Sequence, residues 1–207
     1  MREVSTSFLS DKNYELLINE LNNTNTDYIH FDVMDGKFVD NTNLLSDELC
    51  KYLDLCKKKK DVHLMVENPL EYIEKTKDKN IDFITIHYEI DNFLEVVKVL
   101  KDYNIKVGVA IKPDTLVSDI KEILPIVDLV LVMSVYPGYS GQKFILSSID
   151  KIKKLFILKD INNYSYKISV DGGVNSENIH LLNDADIVVS SSFVLNDYDN
   201  INIIKNM

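Results

Sequence analysis

The sequence predicts an α/β protein whose strands and helices close into a (β/α)8 TIM barrel. Three observations predict this fold. Short β-rich runs alternate with longer helical patterns along the chain, and eight such runs can be found. Several of the runs are almost continuously apolar, such as Asp128–Met133, as expected of strands covered on both faces. An open doubly wound sheet is the alternative that these observations leave open.

The alternation of elements predicts parallel pairing through repeated strand–helix units. We predict strands at residues 3–9, 28–34, 61–66, 82–87, 106–111, 128–134, 167–170 and 186–190. We predict helices between them at residues 11–23, 46–56, 69–78, 91–103, 115–124, 143–158 and 176–183, and a short last helix at 200–206. The chain has no recognisable linker or low-complexity segment. We therefore expect residues 1–207 to form a single barrel domain.

The composition excludes several classes of protein. With 45% hydrophobic and 27% charged residues, the chain resembles an ordinary globular protein and not a disordered one. Its formal net charge of −10 repels nucleic acid and anionic membranes, so we expect neither as a partner. The longest apolar run, residues 129–135, is too short to span a bilayer.

The two cysteines and the first residues indicate the compartment. Cys50 and Cys56 are six positions apart on a predicted helix and point to different faces, so we expect no disulfide between them. Reduced thiols are typical of cytosolic proteins. Met1–Glu3 leads directly into a strand and does not resemble a signal peptide. These features predict a cytoplasmic protein.

Polar residues follow an unusual alternation on the second predicted strand. His30, Asp32 and Met34 share one face, while the apolar residues between them share the other. The apolar face is expected to pack against helices, which turns the polar face into the barrel. A buried histidine and aspartate need partners, and a bound cation would be one.

Two further strand ends carry matching residues. His63 and Met65 share a face of the third strand, and Asp171 is the last side chain of the seventh strand before Gly172 and Gly173. In such a barrel the active site forms at the carboxyl ends of the strands, where two histidines and two aspartates can converge. Mixed nitrogen and oxygen ligands suit one divalent ion, namely zinc, iron(II), manganese or cobalt.

Methionines and glycine-containing loops surround the same strand ends. Met34, Met65 and Met133 are either core residues or a soft apolar cap over a ligand. The loops at 136–142, 172–173 and 190–192 follow strands six, seven and eight, a region that binds phosphate through backbone N–H groups in many barrels.

The sequence resembles the ribulose-phosphate 3-epimerase family from end to end. The matching stretches are residues 5–10, 30–36, 61–69, 106–113, 132–138, 141–144 and 170–174. The resemblance implies a barrel of the ribulose-phosphate-binding type and one divalent metal ion. It also implies an isomerase that converts D-ribulose 5-phosphate to D-xylulose 5-phosphate through a 2,3-enediolate, a step of the pentose phosphate pathway in carbohydrate metabolism.

The resemblance also implies roles for individual residues. The metal ligands would be His30, Asp32, His63 and Asp171, and the two aspartates would also be the acid/base pair. The substrate would contact Ser7, Met34, Met65, Met133, Gly141, Gly172, Gly173 and Ser192, and we add Gln142 and Ser191 because backbone donors at 141–142 and 191–192 are expected to hold the phosphate. The chain departs from the family pattern at Thr6, Asp40, Ser140 and Ser191–Ser192. The last two departures bear on phosphate affinity and not on the four ligands.

Three alternatives remain. The first is a 3-epimerase for a six-carbon ketose phosphate, such as D-allulose 6-phosphate. The second is a phosphate-binding-barrel lyase, because Asp35, Lys37 and Asp40 match an Asp-x-Lys-x-x-Asp pattern. The third is a non-catalytic barrel, which would be expected to lack a ligand or acid/base residue. The expected partner in the first two is a small sugar phosphate, and the sequence leaves a homo-oligomer open.

Overall fold

A closed barrel of eight parallel strands forms the centre of the protein in the computed structural model, which describes residues 2–10 and 13–207. The barrel strands are β1 (Glu3–Ser7), β2 (Tyr28–Asp35), β4 (Lys59–Met65), β5 (Phe83–His87), β6 (Lys106–Ile111), β7 (Leu129–Met133), β8 (Lys167–Asp171) and β9 (Ile187–Ser190). A two-residue strand, β3 (Thr42–Asn43), pairs antiparallel with β2. Because β1 pairs with both β9 and β2, the sheet closes. The predicted barrel is confirmed, and the open sheet is excluded.

Helices surround the barrel. They are α1 (Tyr14–Leu21), α2 (Ser46–Leu55), α3 (Pro69–Thr76), α4 (Phe93–Asp102), α5 (Ser148–Asn162), α6 (Ser192–Asn196) and α7 (Asn200–Asn206). The first two residues of the predicted helix 11–23 lie outside the described residues, as does residue 1. Helix α5 begins five residues later than predicted.

The prediction of an α-helix at 115–124 is wrong. This segment is a series of turns that ends in a 3₁₀-helix at Leu124–Ile126. Its buried residues Val117, Ile120 and Ile123 recur every three positions, which suits the three-residue period of such turns. The backbone bonds Ile123 N–H to Ile120 O and Ile126 N–H to Ile123 O follow the same spacing.

The prediction of an α-helix at 176–183 is also wrong, since only Ile179–Leu181 is helical, as a 3₁₀ turn. Two asparagine side chains occupy the local backbone donors. Asn178 Oδ1 accepts from Asn175 N–H, and Asn175 Oδ1 accepts from Glu177 N–H. Such side-chain bonds compete with the backbone bonds of an α-helix.

Apolar side chains form two layers, one on each side of the barrel wall. Outward-facing residues such as Ile29, Phe31 and Val33 are fully buried beneath the helices, which confirms the predicted alternation on β2. Inward-facing residues form a second cluster that includes Tyr28 and Phe83. This inner cluster fills the lumen below the strand ends.

The lumen opens at the carboxyl ends of the strands into a cavity of ≈ 830 Å³. The loops after β7, β8 and β9 contribute most of its rim. Cys50 and Cys56 are free, as predicted. Within residues 2–10 and 13–207, every helix is too short or too polar to cross a membrane.

Candidate metal centre and active site

Four side chains from three strands meet at the floor of the cavity. His30 and Asp32 lie on β2, His63 lies on β4 and Asp171 ends β8. Each offers one ligand atom, and the four atoms lie within 4.8 Å of one another. The strand register explains this meeting, because Asp32 is paired directly with His63 across β2 and β4. The structure thus brings together all four predicted ligands.

The ligand atoms alternate between nitrogen and oxygen. His30 Nε2 lies 3.4 Å from Asp32 Oδ1 and 3.9 Å from Asp171 Oδ2. His63 Nδ1 lies 3.3 Å from Asp32 Oδ1 and 3.8 Å from Asp171 Oδ2. The two ring nitrogens and two carboxylate oxygens therefore surround a common point.

One atom of this group shows that the site fits a divalent ion. His30 Nε2 is buried and finds no hydrogen-bond partner among the described residues. A buried nitrogen of this kind is costly unless something binds it. Two imidazole nitrogens and two carboxylate oxygens suit zinc, iron(II), manganese or cobalt better than magnesium or calcium.

Serine and aspartate side chains hold the first ligands in place. Asp61 Oδ2 lies 2.7 Å from His30 Nδ1, and Ser5 Oγ donates to the same oxygen at 2.8 Å. Ser7 Oγ donates to Asp32 Oδ2 at 2.7 Å. Sequence reasoning missed Asp61, although its two-residue spacing from His63 repeats the signal that was recognised on β2.

A third histidine, His87, and a glutamate, Glu89, were also missed. His87, the last residue of β5, is fully buried, and its Nε2 lies 2.9 Å from His63 Nε2. Its Nδ1 lies 3.1 Å from Glu89 Oε2. The alternation of Thr85, His87 and Glu89 is again the period of two, so the same signal could have identified them.

The two aspartates of the site differ in pKa. Burial raises the pKa of Asp32, but His30 and then His63 outweigh it and hold this pKa well below its usual value. Burial and the charge of Asp32 raise the pKa of Asp171 to about 6. One carboxylate is thus firmly ionised while the other takes up a proton slightly below neutrality. Such a separation is typical of acid/base pairs.

His30 and His87 differ in the same way. Burial lowers the pKa of His30, but Asp61 and Asp32 raise it well above its usual value. Burial lowers the pKa of His87 to about 4, with Glu89 only partly opposing the effect. A divalent ion at the site would therefore have to displace a proton from His30, whereas His87 is neutral.

All ten predicted substrate residues line the cavity, but whether they contact a substrate stays a prediction. They are Ser7, Met34, Met65, Met133, Gly141, Gln142, Gly172, Gly173, Ser191 and Ser192. The Gln142 side chain donates to the carbonyls of Tyr136 and Tyr139 and so ties its own loop. Ser191 Oγ lies 2.8 Å from Ser10 Oγ, which joins the loops after β9 and β1.

The turn after β8 requires glycine. Gly172 and Gly173 have φ angles of 116° and 65°, which residues other than glycine rarely adopt. A Cβ atom on Gly173 would lie 2.6 Å from Phe144 N. The turn can therefore lie against the loop after β7, and backbone groups of both loops face the cavity.

The lyase pattern lies away from the cavity floor. Asp35 accepts hydrogen bonds from the backbone N–H groups of Lys37, Phe38 and Glu67. The Lys37 side chain is 70% exposed and approaches the Glu67 carboxylate at 4.0 Å. In the described part of the chain, neither Lys37 nor Asp40 lines the cavity. The pattern therefore belongs to a loop whose conformation is stabilised by the hydrogen bonds to Asp35.

Comparison with known proteins gives concordant results. A model of the ribulose-phosphate 3 epimerase family matches residues 3–195. The ribulose-phosphate 3-epimerase of Treponema pallidum (strain Nichols) is 38% identical over 168 residues, covering 80% of this chain and 77% of that protein. The ribulose-phosphate 3-epimerase of Bacillus subtilis (strain 168) is 36% identical over 209 residues, covering 96% and 94%.

More distant solved structures share the fold. KGPDC from Streptococcus mutans has a TM-score of 0.70 at 12% identity, covering 99% of this chain and 94% of that one. N-(5'-phosphoribosyl)anthranilate isomerase from Pyrococcus furiosus has a TM-score of 0.66 at 13% identity, covering 100% of both chains. At such identities the likeness concerns the barrel alone.

Proposed function

The chain belongs to the ribulose-phosphate 3-epimerase family and is an epimerase, and we propose that it interconverts D-ribulose 5-phosphate and D-xylulose 5-phosphate. The observation that carries this proposal is the pair Asp32 and Asp171 at the floor of the cavity, each beside two buried histidines. We further propose that the whole reaction takes place within this one barrel.

The reaction inverts carbon 3 by removing one proton and returning another. That proton is adjacent to the ketone at carbon 2 and is only weakly acidic in water. Asp32 and Asp171 come from β2 and β8, which are separated in the barrel by β1 and β9. Two carboxylates that approach from different strands can serve opposite faces of the sugar. One takes the proton and the other delivers one, so the sugar need not turn over. A positioned acid or base contributes about 10²–10⁴-fold each.

A divalent ion held by His30, Asp32, His63 and Asp171 would supply Lewis acidity toward the oxygens at carbons 2 and 3, which stabilises the charge of a 2,3-enediolate. The surrounding residues keep the ligands oriented. Ser7 fixes the second oxygen of Asp32, and Asp61 fixes the ring of His30. Carboxylate contacts to ligating histidines are typical of such sites.

Apolar side chains surround the place where the sugar would react. Met34, Met65, Met133 and Val135 line the cavity beside the two aspartates. We propose that these side chains exclude water from the reacting carbons. Polarisable sulfur tolerates charge in such a pocket, and a dry pocket discourages loss of phosphate from the intermediate.

The phosphate is proposed to lie among backbone donors of 141–142, 172–173 and 191–192. The only arginine of the chain is Arg2. It precedes the first residue of β1, at the end of the barrel opposite the cavity, and its guanidinium donates to Leu182 O. An arginine clamp is therefore not available from this residue. Local N–H groups can bind a dianion even on a chain of net charge −10.

The test is to incubate the protein, stripped of metal or loaded with each candidate ion, with D-ribulose 5-phosphate in heavy water. We expect D-xylulose 5-phosphate to form with deuterium at carbon 3. D-Allulose 6-phosphate run in parallel separates pentose from hexose specificity. Faster turnover of the hexose would overturn the choice of substrate, and absence of exchange with every ion would overturn the proposed reaction.

A further inference from the structure

We infer that Glu89 and His87 are positioning residues that force the lone pair of His63 Nδ1 into the metal site. The inference rests on the proposed metal-dependent function. Glu89, His87 and His63 form a continuous hydrogen-bonded chain from the barrel wall to the cluster of ligand atoms. Neither Glu89 nor His87 lines the cavity, so both act through His63 and not on substrate.

The contact between the two histidines is a hydrogen bond and not a stacking contact. The ring centroids of His63 and His87 are 5.0 Å apart, while their Nε2 atoms are only 2.9 Å apart. The rings therefore meet at their nitrogen edges. A single proton must lie between these two nitrogens, because two lone pairs or two N–H groups would repel each other.

Glu89 decides which nitrogen holds that proton. Its Oε1 accepts from the backbone N–H of Lys112 and from the Thr115 hydroxyl, and its Oε2 faces His87 Nδ1. An ionised carboxylate only accepts hydrogen bonds, so His87 Nδ1 must carry a proton. An ion bound at His63 Nδ1 leaves the one proton of that neutral ring on Nε2, so His87 Nε2 must accept this proton through a lone pair. His63 Nε2–H donates to this lone pair, and the His63 lone pair is left on Nδ1, 3.3 Å from Asp32 Oδ1, where it can bind the ion in place of a proton shared with that carboxylate.

The Glu89 end of this series of hydrogen bonds is held in place. Lys151 donates to the carbonyls of Lys112, Pro113 and Thr115 at 2.8, 2.7 and 2.6 Å, which fixes the loop that binds Glu89. Lysine is rarely buried unless it is paired in this way, and Lys151 is only 8% exposed. The position of Glu89 is thus determined by a loop that the Lys151 side chain holds in place.

The ring of His87 is also confined. Phe38 lies against it with centroids 4.7 Å apart, and Lys112 Nζ covers the outer face of Phe38 at 3.9 Å. Water is thereby kept from a nitrogen that could otherwise exchange partners. His63 thus reaches a carboxylate through an intermediate ring, whereas His30 reaches Asp61 directly.

Glu89→Gln is the most informative substitution. It should reverse the direction of each hydrogen bond from residue 89 to His63 without changing the shape of the side chain. The Lys112 N–H group holds the amide oxygen of Gln, which leaves the amide NH₂ facing His87 Nδ1. His87 must then accept at Nδ1 and donate from Nε2, and His63 is left with a proton on Nδ1, where the ion should bind. We expect the dissociation constant for Co²⁺, followed by its visible absorbance, to rise about 10–100-fold.

Glu89→Ala separates this effect from a merely structural one. Alanine removes the constraint on His87 but imposes no reversed proton, so we expect a loss of Co²⁺ affinity smaller than that of Glu89→Gln. A structural role predicts the opposite order, because alanine also leaves the Lys112 N–H and Thr115 hydroxyl without their acceptor. Glu67→Gln is the matched control: it removes the same charge from an exposed side chain just after β4, and Co²⁺ affinity should not change.

Nitrogen-15 NMR of the histidine rings in the metal-free protein reads the protons directly. We expect His87 to carry its proton on Nδ1 in the unsubstituted protein and on Nε2 in Glu89→Gln. A proton on Nε2 in the unsubstituted protein, or a greater affinity loss in Glu89→Ala than in Glu89→Gln, would overturn the inference. Failure of the unsubstituted protein to bind Co²⁺ or to epimerise would instead count against the proposed function, because the ring protons are read without either.

Discussion

The two walls of the barrel lumen have the same backbone pairing but opposite chemistry. The wall of β2 and β4 carries His30, Asp32, Asp61 and His63, all buried. The wall of β6 and β7 faces the lumen with small or apolar residues, which are Gly108, Ala110, Leu129, Leu131 and Met133. The backbone hydrogen bonds between strands therefore do not determine function. Function depends on the inward-facing residue at every second position.

The difference between the walls also explains why the polar one is so fully bonded. Apolar neighbours lower the local dielectric constant, which strengthens every paired polar contact and makes every unpaired one costly. Ser5, Ser7, Asp61 and His87 satisfy most of the polar atoms. His30 Nε2 is the exception within the described residues of this wall, and it points at the common point of the four ligand atoms.

The largest expected effect comes from removing one carboxylate from either side of the reacting carbon. Asp32→Asn and Asp171→Asn should each slow epimerisation about 10²–10⁴-fold, because the amide keeps the shape but cannot accept the proton. Exchange of the carbon-3 proton with heavy water should fail with opposite epimers in the two variants. Metal content is measured in parallel. Equal exchange from both epimers in both metal-replete variants would show that another residue carries the proton.

The next largest effect is expected from removing a metal ligand on the polar wall, which is formed by β2 and β4. His63→Ala should lower metal affinity by about 100-fold, since loss of an outer contact alone costs about 10–100-fold. Elemental analysis after dialysis measures the remaining metal. His180→Ala is the control, because His180 is exposed and is not one of the four residues of the cluster. Full occupancy in His63→Ala would count heavily against the proposed site.

Lowering the pH should weaken metal binding at the wall of β2 and β4. The ion requires His30 without its Nε2 proton, and the pKa of His30 is raised well above its usual value. Below that raised pKa, each unit of falling pH should therefore weaken metal affinity about tenfold. Below about pH 6, protonation of Asp171 should steepen the dependence further. Calorimetric titration at several pH values measures this slope, and a flat profile from pH 5 to 8 would contradict it.

The smallest effect is expected on the apolar wall. Met133→Leu conserves volume, so it should change the free energy of unfolding by less than about 1.5 kcal/mol. Metal affinity should not change, because Met133 offers the proposed ion no ligand in the cluster. Denaturant unfolding and a Co²⁺ titration test both statements. A large loss of metal affinity would mean that the two walls are not independent.

The local pattern of the sequence predicted the barrel, through the alternation of strands and helices, and the four ligand residues, through the period of two along the strands. The side chains around them were harder to predict. Asp61 and His87 acquire their roles from register with other strands, since Asp61 lies opposite His30 and His87 lies one strand beyond β4. Such pairings join residues far apart in the sequence. The wrong helix at 115–124 has a similar cause, because apolar spacing alone does not distinguish an α-helix from consecutive three-residue turns.

Among the described residues, the apolar cluster around Tyr28 and Phe83 fills the lumen below the cavity, which opens at the carboxyl ends of the strands. On the proposed function, sugar, product and metal ion would then share the route through the mouth of this cavity. A sugar phosphate seated in that mouth would lie above the ion and obstruct its escape. On the proposed function the two would bind in a fixed order, with the ion entering before the sugar and leaving after it. Under turnover, a chelator in solution would find the ion only in the intervals between one sugar and the next.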